Sequence, residues 1–288
     1  MGLFSGGNAL LALTAAALWG VGDFCGGLGA KQAGGTPAGA LRLILLSHSA
    51  SLIVLAAFAF FFHIPFPHGA PLLWGLAAGT TGGFALTAFY VALSRGAMGA
   101  SAAISGLLAA AIPALVSAVI EGVPGRQHIL GFAVAGAAIW MIGGSGAAPE
   151  ERITSLLAIA AGAGFGLYFV ELRFASPAGA VWSMATARMG SLTLCTLMLL
   201  ALGRRAGAAV VTRQVVVWAL GTAMFDTAGN LLFVVATRLG RLDIASVLAS
   251  LYPASTILLA GIILREQPTS RQLVGMAIAL VAVILVAT

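Results

Sequence analysis

Residues 38–62 read AGALRLILLSHSASLIVLAAFAFFF, with Arg42 the one formal charge in 25 positions. A helix crossing the hydrocarbon layer needs about 20 consecutive apolar residues. The stretch is continuously apolar, without the period-2 alternation of a barrel strand, so it reads as a membrane helix. The 14 basic and 8 acidic residues punctuate the rest of the chain into similar runs. The ten expected spans are 8–28, 38–62, 71–93, 99–120, 129–144, 153–170, 181–202, 215–236, 244–264 and 272–288. By this division only Asp23, Arg42, Arg188 and Asp226 place a charge inside a span.

The totals agree with that reading. The 288 residues are 60% hydrophobic and 8% charged, whereas a soluble domain carries about 45–50% apolar and about 25% charged residues. A net charge of +6 raises the question of nucleic acid, but the basic residues are scattered singly or in pairs and read as membrane-surface anchors. Cys25 and Cys195 fall inside apolar runs and suggest neither a disulfide nor a metal framework. No Lys or Arg precedes Lys31, so the N-terminal run is expected to be the first span rather than a cleaved signal. With about ten spans in this length, no soluble catalytic domain is expected.

The chain reads as one unit used twice. Trp19 precedes Arg42 by 23 residues, and Phe165 precedes Arg188 by 23. Trp74 and Trp218 are 144 apart, while Ala100-Ser101 and Ala245-Ser246, like Glu121 and Glu266, are 145 apart. The expected units are residues 1–146 and 147–288. Five spans is an odd number, so the second unit is expected to be inverted, an arrangement common in secondary transporters with the site near the midplane. The expected fold is an all-α integral membrane protein, a 5+5 inverted repeat around a central cavity.

Several motifs carry a family resemblance: Ala17-Leu18-Trp19-Gly20, Ala100-Ser101 running on to Glu121, and 243–253 (DIASVLASLYP) running on to Arg265-Glu266. Gly131 and Gly275 follow in the last span of each unit. In these features the chain resembles the ten-helix EamA-type drug/metabolite transporters, and among them the YddG-type exporters of aromatic and other amino acids. It departs from the pattern at Leu108, where a proline is expected, and has Pro113 instead. The resemblance implies an inner-membrane exporter or exchanger working by alternating access, without cofactor or obligate protein partner. It also implies that spans 1, 3, 6 and 8, with 4 and 9, surround the cavity.

Candidate substrate-binding residues follow. Asp23 is mid-span with Trp19 one helical turn earlier, a pair suited to an ammonium group and an aromatic ring; the alternative is a structural pairing of Asp23 with Arg42. Asp226, with Thr222 and Asn230 four residues to either side, forms the strongest polar stripe. On the spans that the resemblance places around the cavity stand Phe84 and Tyr90, Phe165, Tyr168 and Phe169, and Ser246, Ser250 and Tyr252. Arg42 and Arg188 read as anchors that snorkel to the membrane faces. His48 reads as a satisfied core histidine, and Glu121 and Glu266 as structural. Glycines at every fourth position (Gly75, Gly79, Gly83; Gly162, Gly166) read as helix-packing sites.

Two rival functions remain open at this point. Gly20-Val21-Gly22-Asp23, Phe225-Asp226 and Pro113-Ala114-Leu115 resemble intramembrane aspartyl protease motifs, though in reversed order and in distant spans. A channel is the other, but would favour a continuous polar pore. No Walker sequence is present. Orientation is divided: Lys and Arg in the connectors favour outside termini, the resemblance cytoplasmic ones.

Overall fold

The computed structural model describes residues 5–95, 98–143, 151–208, 211–263, 265 and 269–287. These form eleven α-helices: α1 (Ser5–Gln32), α2 (Pro37–Phe61), α3 (Ala70–Arg95), α4 (Met98–Ile120), α5 (Arg126–Gly143), α6 (Glu151–Ala175), α7 (Gly179–Leu202), α8 (Arg213–Leu239), α9 (Leu242–Ala249), α10 (Tyr252–Ile263) and α11 (Ser270–Ala287). Short 3-10 turns follow α6 and α7. No strand occurs among the described residues. Among the described residues six stretches are long and apolar enough to cross a membrane, one of them the continuous 55-residue run Arg152–Ala206 that holds α6 and α7. In hydrocarbon, a helix satisfies every backbone polar group within its own segment, which is why uninterrupted apolar sequence becomes helix here.

Local chemistry sets the boundaries. Thr36 caps α2 by accepting from the Gly39 amide at 3.1 Å, with Pro37 in the first turn. Thr212 caps α8 by accepting from Val215 N at 3.2 Å. The expected single span 244–264 is interrupted. Its helix stops at Ala249, turns through Ser250 and Leu251, and restarts at Tyr252. Pro253 supplies the reason, since it has no amide hydrogen to continue the ladder and disfavours helical backbone just before it. The span expected at 153–170 runs on to Ala175, carrying Glu171 and Arg173 within the helix.

Eight rods close a ring. α1 lies along α8, α8 against α2, α2 against α7, α7 against α3, α3 against α6, α6 against α4, α4 against α9 and α10, and α10 against α1. α5 and α11 pack on each other outside it. Small residues permit the close crossings. A Cβ on Gly79 would strike the Ala187 carbonyl, and one on Gly83 would come within 2.7 Å of Ser191 Oγ, so α3 rides directly on the α7 backbone. Gly162 and Gly166 do the same for α6 against α4, with Ser105 O 2.6 Å and Ile112 Cβ 2.7 Å from their virtual Cβ atoms.

Polar bonds tie the ends. Arg42 donates to the carbonyls of Gly207 (2.7 Å) and Ala208 (2.9 Å), joining α2 to the α7–α8 connection, and so is not the partner of Asp23. Arg241 donates to Asp243, to Glu121 O (3.0 Å) and to Gly122 O (2.7 Å), bridging α9 to the end of α4. The hydrogen bonds to Asp243 raise its already high pKa. Glu121 accepts from Ser117 Oγ and Leu242 N and lies 3.6 Å from Arg173, the structural role expected of it. Glu266, expected to be structural like Glu121, lies outside the described residues.

Candidate functional site

The helices of the ring line a partly open cavity at its centre. Its wall comes from α1 (Trp19, Asp23), α2 (His48), α3 (Gly79, Gly82, Gly83, Leu86), α6 (Phe165, Tyr168, Phe169), α7 (Ala187, Arg188, Ser191), α8 (Asp226, Asn230) and α10 (Tyr252). The expected wall differs in two respects: α2 and α7 contribute, and α4 supplies none of these residues.

One side of the cavity is aromatic. Trp19 stacks on Phe169 with centroids 5.1 Å apart and rings almost parallel, and both lean on Phe233 at 5.5 and 4.6 Å. Phe165 meets Phe89 edge-on at 5.4 Å, and Phe89 meets Tyr252 at 6.2 Å. Tyr252 is held by Ser105 Oγ at 2.5 Å and by the Ala102 carbonyl at 3.3 Å. Such a wall offers flat apolar area with few rotatable bonds.

The rest of the lining holds a charged network centred on Arg188, whose side chain is only 3% exposed. It pairs with Asp226 Oδ2 through Nη2, which also reaches Thr227 Oγ1 at 3.2 Å. Its Nε donates to Ser51 Oγ at 3.1 Å and its Nη1 to His48 Nε2 at 2.7 Å. A guanidinium has five N–H donors and no acceptor, so His48 Nε2 must present its lone pair. The ring proton then sits on Nδ1, which donates to Ser191 Oγ at 2.8 Å. Asn230 Nδ2 donates to Asp226 Oδ1 (3.0 Å) and to Asp226 O (2.7 Å), while its Oδ1 accepts from Tyr168 at 2.8 Å. The chain Tyr168–Asn230–Asp226–Arg188–His48–Ser191 therefore links α6, α8, α7 and α2.

Asp23 stands apart from this network. Among the described residues no hydrogen bond or ion pair reaches its carboxylate. It is near Asp226, because a Cβ on Gly22 would lie 3.2 Å from Asp226 N and 3.5 Å from Asp226 Cβ.

Of the sequence-predicted residues, the cavity brings together Trp19, Asp23, Phe165, Tyr168, Phe169, Asp226, Asn230 and Tyr252. Four others are placed elsewhere. Phe84 is 49% exposed and faces outward. Tyr90 is buried against Gly26 of α1 rather than lining the cavity, and its hydroxyl finds no partner among the described residues. Ser246 and Ser250 are buried within the packing of α9, and their hydroxyls too find no partner there. Arg188 is corrected from a snorkelling anchor to the buried hub of the site. His48, read as a satisfied core residue, is satisfied but by the cavity's own hub. The available signal for Arg188 was its place well inside an apolar run, since an intramembrane charge marks a site by default.

The fold and cavity define a class: a multi-pass membrane protein, helical throughout its described residues apart from short connections, with a central cavity lined by its helices. Residues 152–288 match the model of the EamA-like transporter family. That match supports the drug/metabolite transporter superfamily and implies a membrane transporter of small substrates. A solved structure described only as a crystal structure of a protein is similar in fold, with a TM-score of 0.71 at 20% identity over 96% of this chain and 95% of that chain. No curated protein matches the chain.

Proposed function

We propose that the protein is a secondary transporter that exports or exchanges small metabolites, amino acids including aromatic ones, by alternating access. The observation that carries this reading is the cavity itself. Its lining combines a stacked aromatic pair with an arginine–carboxylate network and a carboxylate outside that network. An aromatic amino acid presents complementary parts: a ring for Trp19 and Phe169, an ammonium for Asp23, and a carboxylate for the cavity's polar side.

The ten-span, inverted 5+5 architecture belongs to the same proposal, with α9 and α10 as one broken span and units at 1–146 and 147–288. Its support lies in the packing. Exchanging α1 with α6, α2 with α7, α3 with α8 and α4 with α9–α10 turns the α1–α8 contact into α6–α3, and α6–α4 into α1–α9 and α1–α10. The resemblance to YddG-type exporters suggests an inner-membrane location with cytoplasmic termini. Against the protease reading, the motifs stand in reversed order in distant spans, and both oxygens of Asp226 are engaged, by Arg188 and Asn230, rather than free to activate water.

Purified protein in liposomes is expected to take up L-phenylalanine saturably above empty liposomes. Folded protein that moves no tested amino acid would overturn the reading. Phe169→Ala is expected to weaken phenylalanine competition more than alanine competition, because ring stacking contributes about 0.5–1.5 kcal/mol beyond area burial.

A further inference from the structure

The two ends of the helix bundle differ in charge. Residues 24–95 and 174–225 contain no aspartate or glutamate. The helices they form nevertheless bring Lys31, Arg42, Arg95, Arg204, Arg205 and Arg213 to one end. Lys31 stands in the last turn of α1, Arg95 closes α3, and Arg213 opens α8. A Cβ on Gly29 would lie 3.0 Å from Trp218 Cβ, so the end of α1 runs beside the start of α8. A Cβ on Gly35 would lie 3.8 Å from Ser94 Oγ, which puts Arg95 next to the α1–α2 turn. Arg42 donates to the carbonyls of Gly207 and Ala208, and so pins the 3-10 turn Gly203–Ala206 that holds Arg204 and Arg205. The other five cations are exposed, and none forms an ion pair among the described residues. The acidic residue described at this end, Glu151, opens α6 next to Arg152. At the opposite end Arg173 and Arg241 are matched by Glu121 and Asp243.

Five exposed cations without counter-charges attract an anion, and the layer beneath them says what that anion is attached to. One turn deeper than Arg204 stands Leu200, with Leu197 below it. One turn deeper than Arg213 stands Val217, with Leu220 below it. All four aliphatic side chains are more than half exposed. A partner that matches both levels carries a phosphate above hydrocarbon. We propose that this end of the bundle is a binding site for an acidic phospholipid, whose phosphodiester lies on the pinned Arg204-Arg205 turn and on Arg213, and whose acyl chains run down the aliphatic residues of α7 and α8. Guanidinium groups take phosphate oxygens in charge-assisted, often bidentate, hydrogen bonds. Basic clusters at the ends of membrane helices recognise anionic headgroups in the same way. A soluble phosphate would meet the upper level alone, and a zwitterionic lipid brings its own ammonium against the patch. The proposal stands apart from the transporter reading, because it involves no cavity residue.

The test uses the full chain in detergent, titrated with dioleoyl-phosphatidylglycerol. Native mass spectrometry counts the lipid retained, and thermal melting reports apparent affinity. Phosphatidylglycerol is expected to bind and to raise Tm, since a ligand of the folded form stabilises it. The rise should shrink as salt increases, because exposed charges are screened. Dioleoyl-phosphatidylethanolamine and inorganic phosphate, at the same concentration, are expected to do neither. These comparisons need no variant. Arg204→Gln/Arg205→Gln/Arg213→Gln is expected to weaken phosphatidylglycerol binding on the order of a hundredfold, about fivefold for each cation removed. The three side chains are exposed, so its Tm without lipid should match wild type. Arg204→Lys/Arg205→Lys/Arg213→Lys is expected to retain binding within about threefold, because lysine still binds phosphate as a point charge. Arg126→Gln/Arg238→Gln, which removes exposed cations from the opposite end, should bind as wild type does. Equal binding of the two lipids, equal stabilisation by inorganic phosphate, or wild-type affinity in the triple glutamine variant overturns the proposal. An equal loss in Arg126→Gln/Arg238→Gln also overturns it, since attraction would then be diffuse rather than seated at this end.

Discussion

Arg188 illustrates what burial does to a charged side chain. At 3% exposure it has little access to water, so Asp226, His48, Ser51 and Thr227 take over its solvation. Removing one member of such a set leaves the other charge bare, which costs about 3–5 kcal/mol, whereas replacing both by apolar groups is often close to neutral. Arg188→Met is therefore expected to lower the Tm of the detergent-purified protein sharply, and the double variant Arg188→Met/Asp226→Leu to recover much of the loss. A double variant as unstable as the single would show that the two charges are not coupled. The Asp226–Asn230 half of this network was legible in sequence, because residues four apart share a helix face. The Arg188–Asp226 half was not. Arg42 and Arg188 each stand 23 residues after an aromatic residue, Trp19 and Phe165, yet one binds connector carbonyls and the other the cavity network.

Helices α3 and α7 show how small residues set an element's position. Gly75, Gly79 and Gly83 form a flat stripe against Thr186, the Ala187 carbonyl and Ser191, and Arg188 and Ser191 reach the cavity from that same helix. Adding a methyl where backbone already touches forces the helices apart, at about 1–3 kcal/mol. Gly79→Ala is accordingly expected to lower Tm by several degrees. Gly7→Ala, where a Cβ meets nothing within 4 Å, should be neutral or slightly stabilising, since alanine is the better helix former. Equal Tm changes for the two would refute this view of the crossing. The four-residue glycine spacing announced close packing but not the partner, because spacing fixes a face and not what meets it. The α9–α10 break was partly legible through Pro253. The break leaves Tyr252 at the start of α10 lining the cavity, while Ser246 in α9 and Ser250 in the turn are buried away from it.

Across the whole molecule, an inverted repeat makes a geometric demand. The α1–α2 connection and its repeat mate, the α6–α7 turn, must lie on opposite faces of the membrane. Cysteine placed at the exposed positions Gln32 and Pro177 is expected to react with a membrane-impermeant maleimide from opposite sides of sealed vesicles. The native Cys25 and Cys195 are buried and should leave a low background. Labelling of both from one side would exclude the inversion. By itself the sequence determined that this is a helical membrane protein, and roughly where most of its helices run. Lipid cannot hydrogen-bond the backbone, so a continuous apolar run has little choice but to coil on itself, and that information is local. Only the tertiary structure decided which ionisable groups share the cavity and which of them is left without a partner. Ser51 meets Thr227 and Arg188 meets His48 across 176 and 140 residues of chain. Pairings at that separation depend on how the helices pack and in what phase, which no spacing along a single helix records.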